Sequence, residues 1–231
     1  MPPPKLNPRR PLAADPVFDA LAGAILRGKY PPGSALPPER ELGALFNVSR
    51  LIARQALHRL REMGLVAGGQ GGQNTVLDPE EANDPRIVAL QMELAPEQHD
   101  EQDVNERQML GGAMLLELAQ VRMTDEELEQ LDAMVAMREA AGADGGSLDD
   151  FEREFWCFIA LCTRNKILLR EARWWFEMLT RQPERRQRFY DRPELRLAVY
   201  RAVVTNLTED RAKAAERFLM AVRSFWATRD V

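Results

Sequence analysis

The sequence predicts a mainly α-helical chain in two parts: a head of three short helices with a small β-wing, then an antiparallel bundle of six to seven helices. Three observations carry that expectation. Leu36 to Val66, reading LPPERELGALFNVSRLIARQALHRLREMGLV, holds two apolar-striped segments around Asn47-Val48-Ser49, a join too short for anything but a sharp reversal. A glycine-rich stretch, GGQGGQN, follows between two short extended runs. From Asp78-Pro79-Glu80-Glu81 onward the apolar residues keep helical spacing, and no segment alternates as a half-buried strand would.

Residues 1–11 hold five prolines with Lys5, Arg9 and Arg10, and are expected to form a flexible arm, read either as an inert tail or as a touch on DNA backbone. Val17, Leu21, Ala24 and Ile25 stripe a first helix that Gly28 ends, and Tyr30-Pro31-Pro32-Gly33 is a rigid connection. Leu42, Leu45 and Phe46 give the next helix an apolar face. Ser49 is placed to cap a third, whose apolar face is Ile52, Ala53, Ala56, Leu57, Leu60 and Met63. Leu65-Val66-Ala67 and Thr75-Val76-Leu77 flank the glycine loop and read as a wing. Four glycines also suit a phosphate cradle, but no helix N-terminus with Lys-Ser/Thr follows them. The expected fold over residues 12–78 is therefore a winged helix-turn-helix.

The polar face of the third helix points to chemistry. Arg50 and Arg54 stand four residues apart on one face, with Arg61 further along and Arg59 offset. Paired arginines near a helix N-terminus suit the major groove, where they bond guanine O6 and N7 or grip phosphate. Two arginines alone would equally make a solvated cationic face.

Formal charge is −5 over 231 residues, which by itself argues against nucleic acid, but its distribution is uneven. Up to residue 78 there are ten Lys and Arg against six Asp and Glu, a net of +4, so the remainder carries −9. A basic head on an acidic body binds DNA at one end only. Apolar content of 45% is ordinary for a globular protein, and neither a membrane-spanning run nor a secretory leader is expected, which points to the cytoplasm. Cys157 and Cys162, five apart in a helical pattern, read as small packing residues. With His58 and His99 as the only histidines, no Ser/His/Asp or Cys/His set is available, so an enzyme is not expected.

After a linker and connecting helix over 79–101, helices are expected at 84–93, 102–122, 124–141, 147–163, 165–190, 192–207 and 208–228. Thr124 with Glu127 forms a capping box, Ser147 with Asp150 a similar start, and Thr208 precedes the acids of the last helix. Leu148, Phe151, Phe155, Phe158, Ile159 and Cys162 stripe one of them. The region 102–231 is expected to be a second, all-helical domain.

PPGSALPPEREL, NVSR, Arg54-Gln55-Ala56-Leu57, Arg59-Leu60 and Gly64-Leu65-Val66 together resemble the DNA-binding signature of GntR-type winged-helix regulators. The resemblance implies that Arg40, Arg50 and Arg54 contact bases or backbone, with Ser49 at the helix start and Gln70 as a wing-tip contact. Leu51-Ile52 departs from the small polar residues many relatives carry there, which bears on the operator sequence. TDEELEQL, residues 149–165 ending in CTRNKILL, and Val199-Tyr200-Arg201-Ala202-Val203 followed by AAERFL resemble the all-helical FadR branch, which implies that 102–231 is an effector-binding and dimerisation domain.

Many members of that branch hold a divalent metal with one aspartate and three histidines. Setting the motifs against this chain puts Glu152 at the acidic position and Trp156, Tyr200 and Val222 where histidines would stand, so no metal and no other cofactor is expected. The resemblance then implies an apolar cavity suited to a fatty acid or acyl-CoA, with Trp156, Trp175 and Tyr200 near its chain. Phe189 to Glu194 resembles the branch's fatty-acid regulator as well. Arg107 is the candidate for an ionic head group, although Gly111-Gly112 stands where Leu-Glu is usual. The same aromatics would also simply fill a core. The expected whole is a homodimeric one-component regulator on a palindromic double-stranded operator, its affinity set by a small effector. Its rivals are the same regulator with another organic effector and an effector-free DNA-binding protein.

Overall fold

Proline and glycine punctuation sets the first unit. The computed structural model describes residues 15–68, 73–98, 101–142, 146–180 and 193–227, and the backbone divides into two compact units at Asp100–Glu101. The described residues are mainly helical, with ten α-helices and one three-stranded sheet. The arm, Gln70, His99 and residues 181–192, which include Phe189, lie outside them.

In the first unit α1 (Asp15–Leu26) buries Val17, Phe18, Leu21, Ala22 and Ile25, and it stops at Gly28, whose φ of 72° is easy for glycine. Pro32-Gly33 then turns the chain. Ser34 N–H donates to the Pro31 carbonyl at 3.0 Å across Gly33 at φ 82°, delivering Ala35–Leu36 as β1. β1 was not expected from the sequence: two residues before a proline show no alternation. It pairs antiparallel with β3 (Asn74–Val76), which pairs with β2 (Val66–Gly68), giving the order β1-β3-β2.

α2 (Glu39–Leu45) and α3 (Arg50–Glu62) pack on α1 through Leu42, Ala53, Ala56, Leu57 and Leu60, each fully buried. Leu45, expected on the apolar face, is instead 67% exposed, because α2 ends there and Asn47 turns the chain at φ 52°. α4 (Arg86–Leu94), expected as a connecting helix, contributes Ile87 to this same core, with Leu90 and Leu94 packed against it. The Arg27 guanidinium donates to the Leu94 carbonyl.

The second unit is helical throughout its described residues: α5 (Glu101–Arg122), α6 (Asp125–Ala141), α7 (Leu148–Cys162), α8 (Lys166–Thr180), α9 (Pro193–Glu209) and α10 (Ala214–Ala227). α5 packs on α7 and α10, α7 on α8, and α6 on α9. Leu116, Leu131, Phe155, Ile159 and Leu207 form its most buried part. Thr208 does not cap the last helix. It lies inside α9 and its hydroxyl donates to the Val204 carbonyl at 2.9 Å, while a 3₁₀ turn at Arg211–Lys213 leads into α10.

The capping box is present: Glu127 N–H donates to Thr124 Oγ1 at 3.2 Å, and Thr124 N–H donates to the Glu127 carboxylate at 3.0 Å. The Arg164 guanidinium also donates to that carboxylate at 2.9 Å and holds the Glu127 carboxyl below its ordinary value. A depressed folded pKa stabilises above the ordinary value of 4.5 and is lost as pH falls through the folded one. Glu127→Gln keeps the box but loses the ion pair. It should lower Tm by about 1–3 °C at pH 7, and thermal scans should show that gap closing below pH 4.

Candidate functional site

The turn between α2 and α3 packs closely onto α2 because Gly43, near the end of that helix, is buried and carries no side chain. A Cβ there would come 3.1 Å from the Val48 carbonyl oxygen, and the Val48 N–H donates to the Gly43 carbonyl at 2.9 Å. Ser49 then sits in extended conformation and its hydroxyl accepts from the Ile52 N–H at 3.3 Å, capping α3 as its sequence position implies. Ser49 is itself exposed.

Arg50 and Arg54 both face solvent from the first turns of α3, and Arg40 faces solvent from α2. The Arg50 side chain is 77% exposed, and its Nε donates to the Glu39 carboxylate at 2.8 Å. This pairing across the turn was not expected from the sequence. The other two arginines of α3, given no role by the sequence, are structural. Arg59 donates to Asp15 and lies 4.0 Å over the Phe18 ring, fastening α3 to α1. Arg61 Nε donates to the buried Asn74 side chain at 3.1 Å, fastening α3 to β3. Their guanidiniums hold the scaffold together, which leaves Arg50 and Arg54 as the exposed cationic pair of the early helix, Arg50 with its surface partner Glu39.

In the second unit the expected pocket residues divide into two groups. Arg107, Trp156 and Trp175 line one cleft with Gln108, Gly111 and Leu168, whose free volume is about 30 Å³. That is room for about one water molecule. The Arg107 guanidinium lies 4.2 Å over the Trp175 ring, and burial pulls its pKa down against the opposing charge of Glu171. Gly111 makes this possible, since a Cβ there would strike the Arg107 guanidinium at 2.5 Å. Gly112 backs onto Trp156 and Phe218, 3.0 and 3.1 Å from where its Cβ would stand. The glycine pair is thus explained by three side chains, Arg107, Trp156 and Phe218, resting on the α5 backbone. Trp175 is buried and its Nε1–H has no hydrogen-bond partner among the described residues.

Tyr200 lies in the second group, an aromatic cluster with Phe151 and Phe155 at centroid distances of 5.3 and 5.0 Å. Phe155 joins it to Trp156 at 5.4 Å. Glu152 is buried but far from apolar in its surroundings: Gln108 Nε2 donates to it at 3.0 Å and the Arg196 guanidinium at 2.7 Å, with Asp149 also on Arg196 at 2.9 Å. The expected carboxylate in an apolar socket is therefore half of an ion-paired network. Val222 is partly buried on α10 and is not among the cleft's lining residues. Cys157 and Cys162 are free thiols, and burial pushes Cys162 up to about 11.

A family profile, "Bacterial regulatory proteins, gntR family", matches residues 13–75. The Mycobacterium tuberculosis "Uncharacterized HTH-type transcriptional regulator Rv0494" is 33% identical over 168 residues, covering 72% of this chain and 68% of that one. The chain belongs to the GntR family of transcriptional regulators.

The Uxu operon transcriptional regulator of Escherichia coli is 28% identical over 152 residues, 63% of this chain and 56% of its own. A solved structure titled as Lar, which controls expression of the Listeria monocytogenes agr system, has a TM-score of 0.54 at 17% identity, covering 94% of each chain. At that identity the likeness is one of fold. As a GntR-family member the protein is a DNA-binding regulator, and the relatives named here are transcriptional regulators rather than enzymes. Among the described residues no helix is long and apolar enough to cross a membrane. Glu39, Asn74 and Arg196, all structurally engaged, were missed by sequence reading because their partners lie 11, 13 and 44 residues away.

Proposed function

We propose that this GntR-family protein is a one-component regulator of the FadR branch that binds a palindromic operator as a homodimer. In this reading α3 enters the major groove, Arg50 and Arg54 bond bases or phosphates, Arg40 holds phosphate and Gln70 adds a wing contact. The observation that carries it is the exposed Arg50–Arg54 pair on a helix whose opposite face, Ala53, Ala56, Leu57 and Leu60, is wholly buried.

The helical unit is proposed to bind a fatty acid or acyl-CoA, its anionic head against Arg107 and Trp175. Two donors in one cleft, a half-buried guanidinium and an unpartnered buried indole N–H, support an acceptor-bearing head group. The cleft's small volume means that any ligand must displace lining side chains, more of them for a hydrocarbon chain than for a small carboxylate, which is the second reading.

Fluorescence anisotropy on DNA from upstream of the protein's own gene, at one fixed salt, tests both. A shift with long-chain acyl-CoA or fatty acid alone supports the acyl reading, and one with citrate alone supports the small carboxylate. A citrate shift that requires zinc would reinstate a metal. Indifference to all four would leave the effector-free reading.

A further inference from the structure

The outward face of α3 contains one apolar residue, and the proposed arginine contacts do not use it. Ala53, Ala56, Leu57 and Leu60 fill the core and Ile52 packs against it. The opposite face runs Leu51, Arg54, Gln55, His58 and Glu62, all exposed, at spacings of three, four, seven and eleven from Leu51. Every member of that face is polar except Leu51, which is 53% exposed in the first turn. An exposed leucine is ordinary on a protein surface. Its placement here is not neutral, because the N-terminal residues of a recognition helix are the ones that meet base edges.

Leucine can neither donate nor accept a hydrogen bond. Against guanine, adenine or cytosine in the major groove it would cover polar edge groups without satisfying them. Thymine alone presents a C5-methyl there, and burying that methyl against an aliphatic side chain is favourable. We propose that Leu51 reads a thymine C5-methyl in each operator half-site, beside the bases reached by Arg50 and Arg54, and so selects thymine over cytosine at that position. The inference rests on the reading of α3 as the major-groove helix.

The test starts from an operator selected by the full-length protein from a random duplex pool. Each thymine is then replaced singly by deoxyuridine, which removes the methyl and nothing else, and binding is followed by anisotropy at fixed salt. We expect one thymine per half-site whose replacement weakens binding about three- to fivefold. With Leu51→Ala the thymine and deoxyuridine operators should bind alike, whereas Arg54→Ala should bind more weakly yet keep the methyl effect. Because Leu51 is exposed, the Leu51→Ala melting curve should match that of the unaltered protein. A selected operator indifferent to every methyl, or a methyl effect that persists in Leu51→Ala, overturns the role of Leu51 while α3 remains the reading helix. Selection of no sequence at all overturns both.

Discussion

Arg50→Ala should weaken operator binding by about 10- to 100-fold while weakening binding to random-sequence duplex much less, because a bidentate arginine–guanine contact contributes roughly 1–3 kcal/mol of base discrimination. The structure makes this a clean measurement. The Arg50 side chain is 77% exposed and contributes nothing to the core, so alanine there should leave the fold intact. Its Glu39 partner is a surface pair of about 0–1 kcal/mol, too small to confuse the comparison. Paired titrations on both DNAs over a salt series give the answer. Preferential loss on the operator with little change in salt slope identifies base reading. Equal losses, with the slope reduced by about one, would reassign Arg50 to phosphate.

Arg59→Ala provides the contrast. Arg59 binds Asp15 and covers Phe18, so its replacement should loosen α1 from α3 and lower thermal stability. The sequence set Arg50 and Arg54 on one face of α3 but gave no role to Arg59 and Arg61. Sorting them required Asp15 and Asn74, 44 and 13 residues distant. What was legible is what local physics decides: the Ser49 cap, the buried face of α3, the Thr124 capping box and the family signature. Leu45 and Thr208 were misread because helix ends depend on the next turn, and periodicity does not report where a stripe stops. β1 escaped because a two-residue strand exists only through its pairing with β3. Glu152 was placed at an apolar cavity because Arg196, its partner, sits on a different helix.

Phe155→Ala should destabilise the second unit by about 3–5 kcal/mol, the range for removing a buried aromatic. Phe155 is fully buried, with Tyr200, Trp156 and Phe151 rings at 5.0, 5.4 and 6.1 Å, so no neighbour is free to collapse into the space without disturbing the others. Denaturant titration followed by tryptophan emission would measure it, since Trp156 borders the site. The same variant separates two readings of these aromatics. If they are purely a packed core, no ligand should raise the stability of the unaltered protein, whatever it does for the cavity in Phe155→Ala. If they also bound an acyl-binding cavity, fatty acid should restore stability to Phe155→Ala in proportion to the logarithm of its concentration above Kd, as binding to the folded state requires. A cavity left by a phenyl ring is apolar and dry, so it accepts hydrocarbon more readily than it accepts citrate. Rescue by the acyl ligand with none from citrate, together with stabilisation of the unaltered protein by the same ligand, would place the hydrocarbon among Phe155, Trp156 and Tyr200. Absence of rescue by either would mean that those three rings serve packing alone and that any effector stays at the Arg107 cleft.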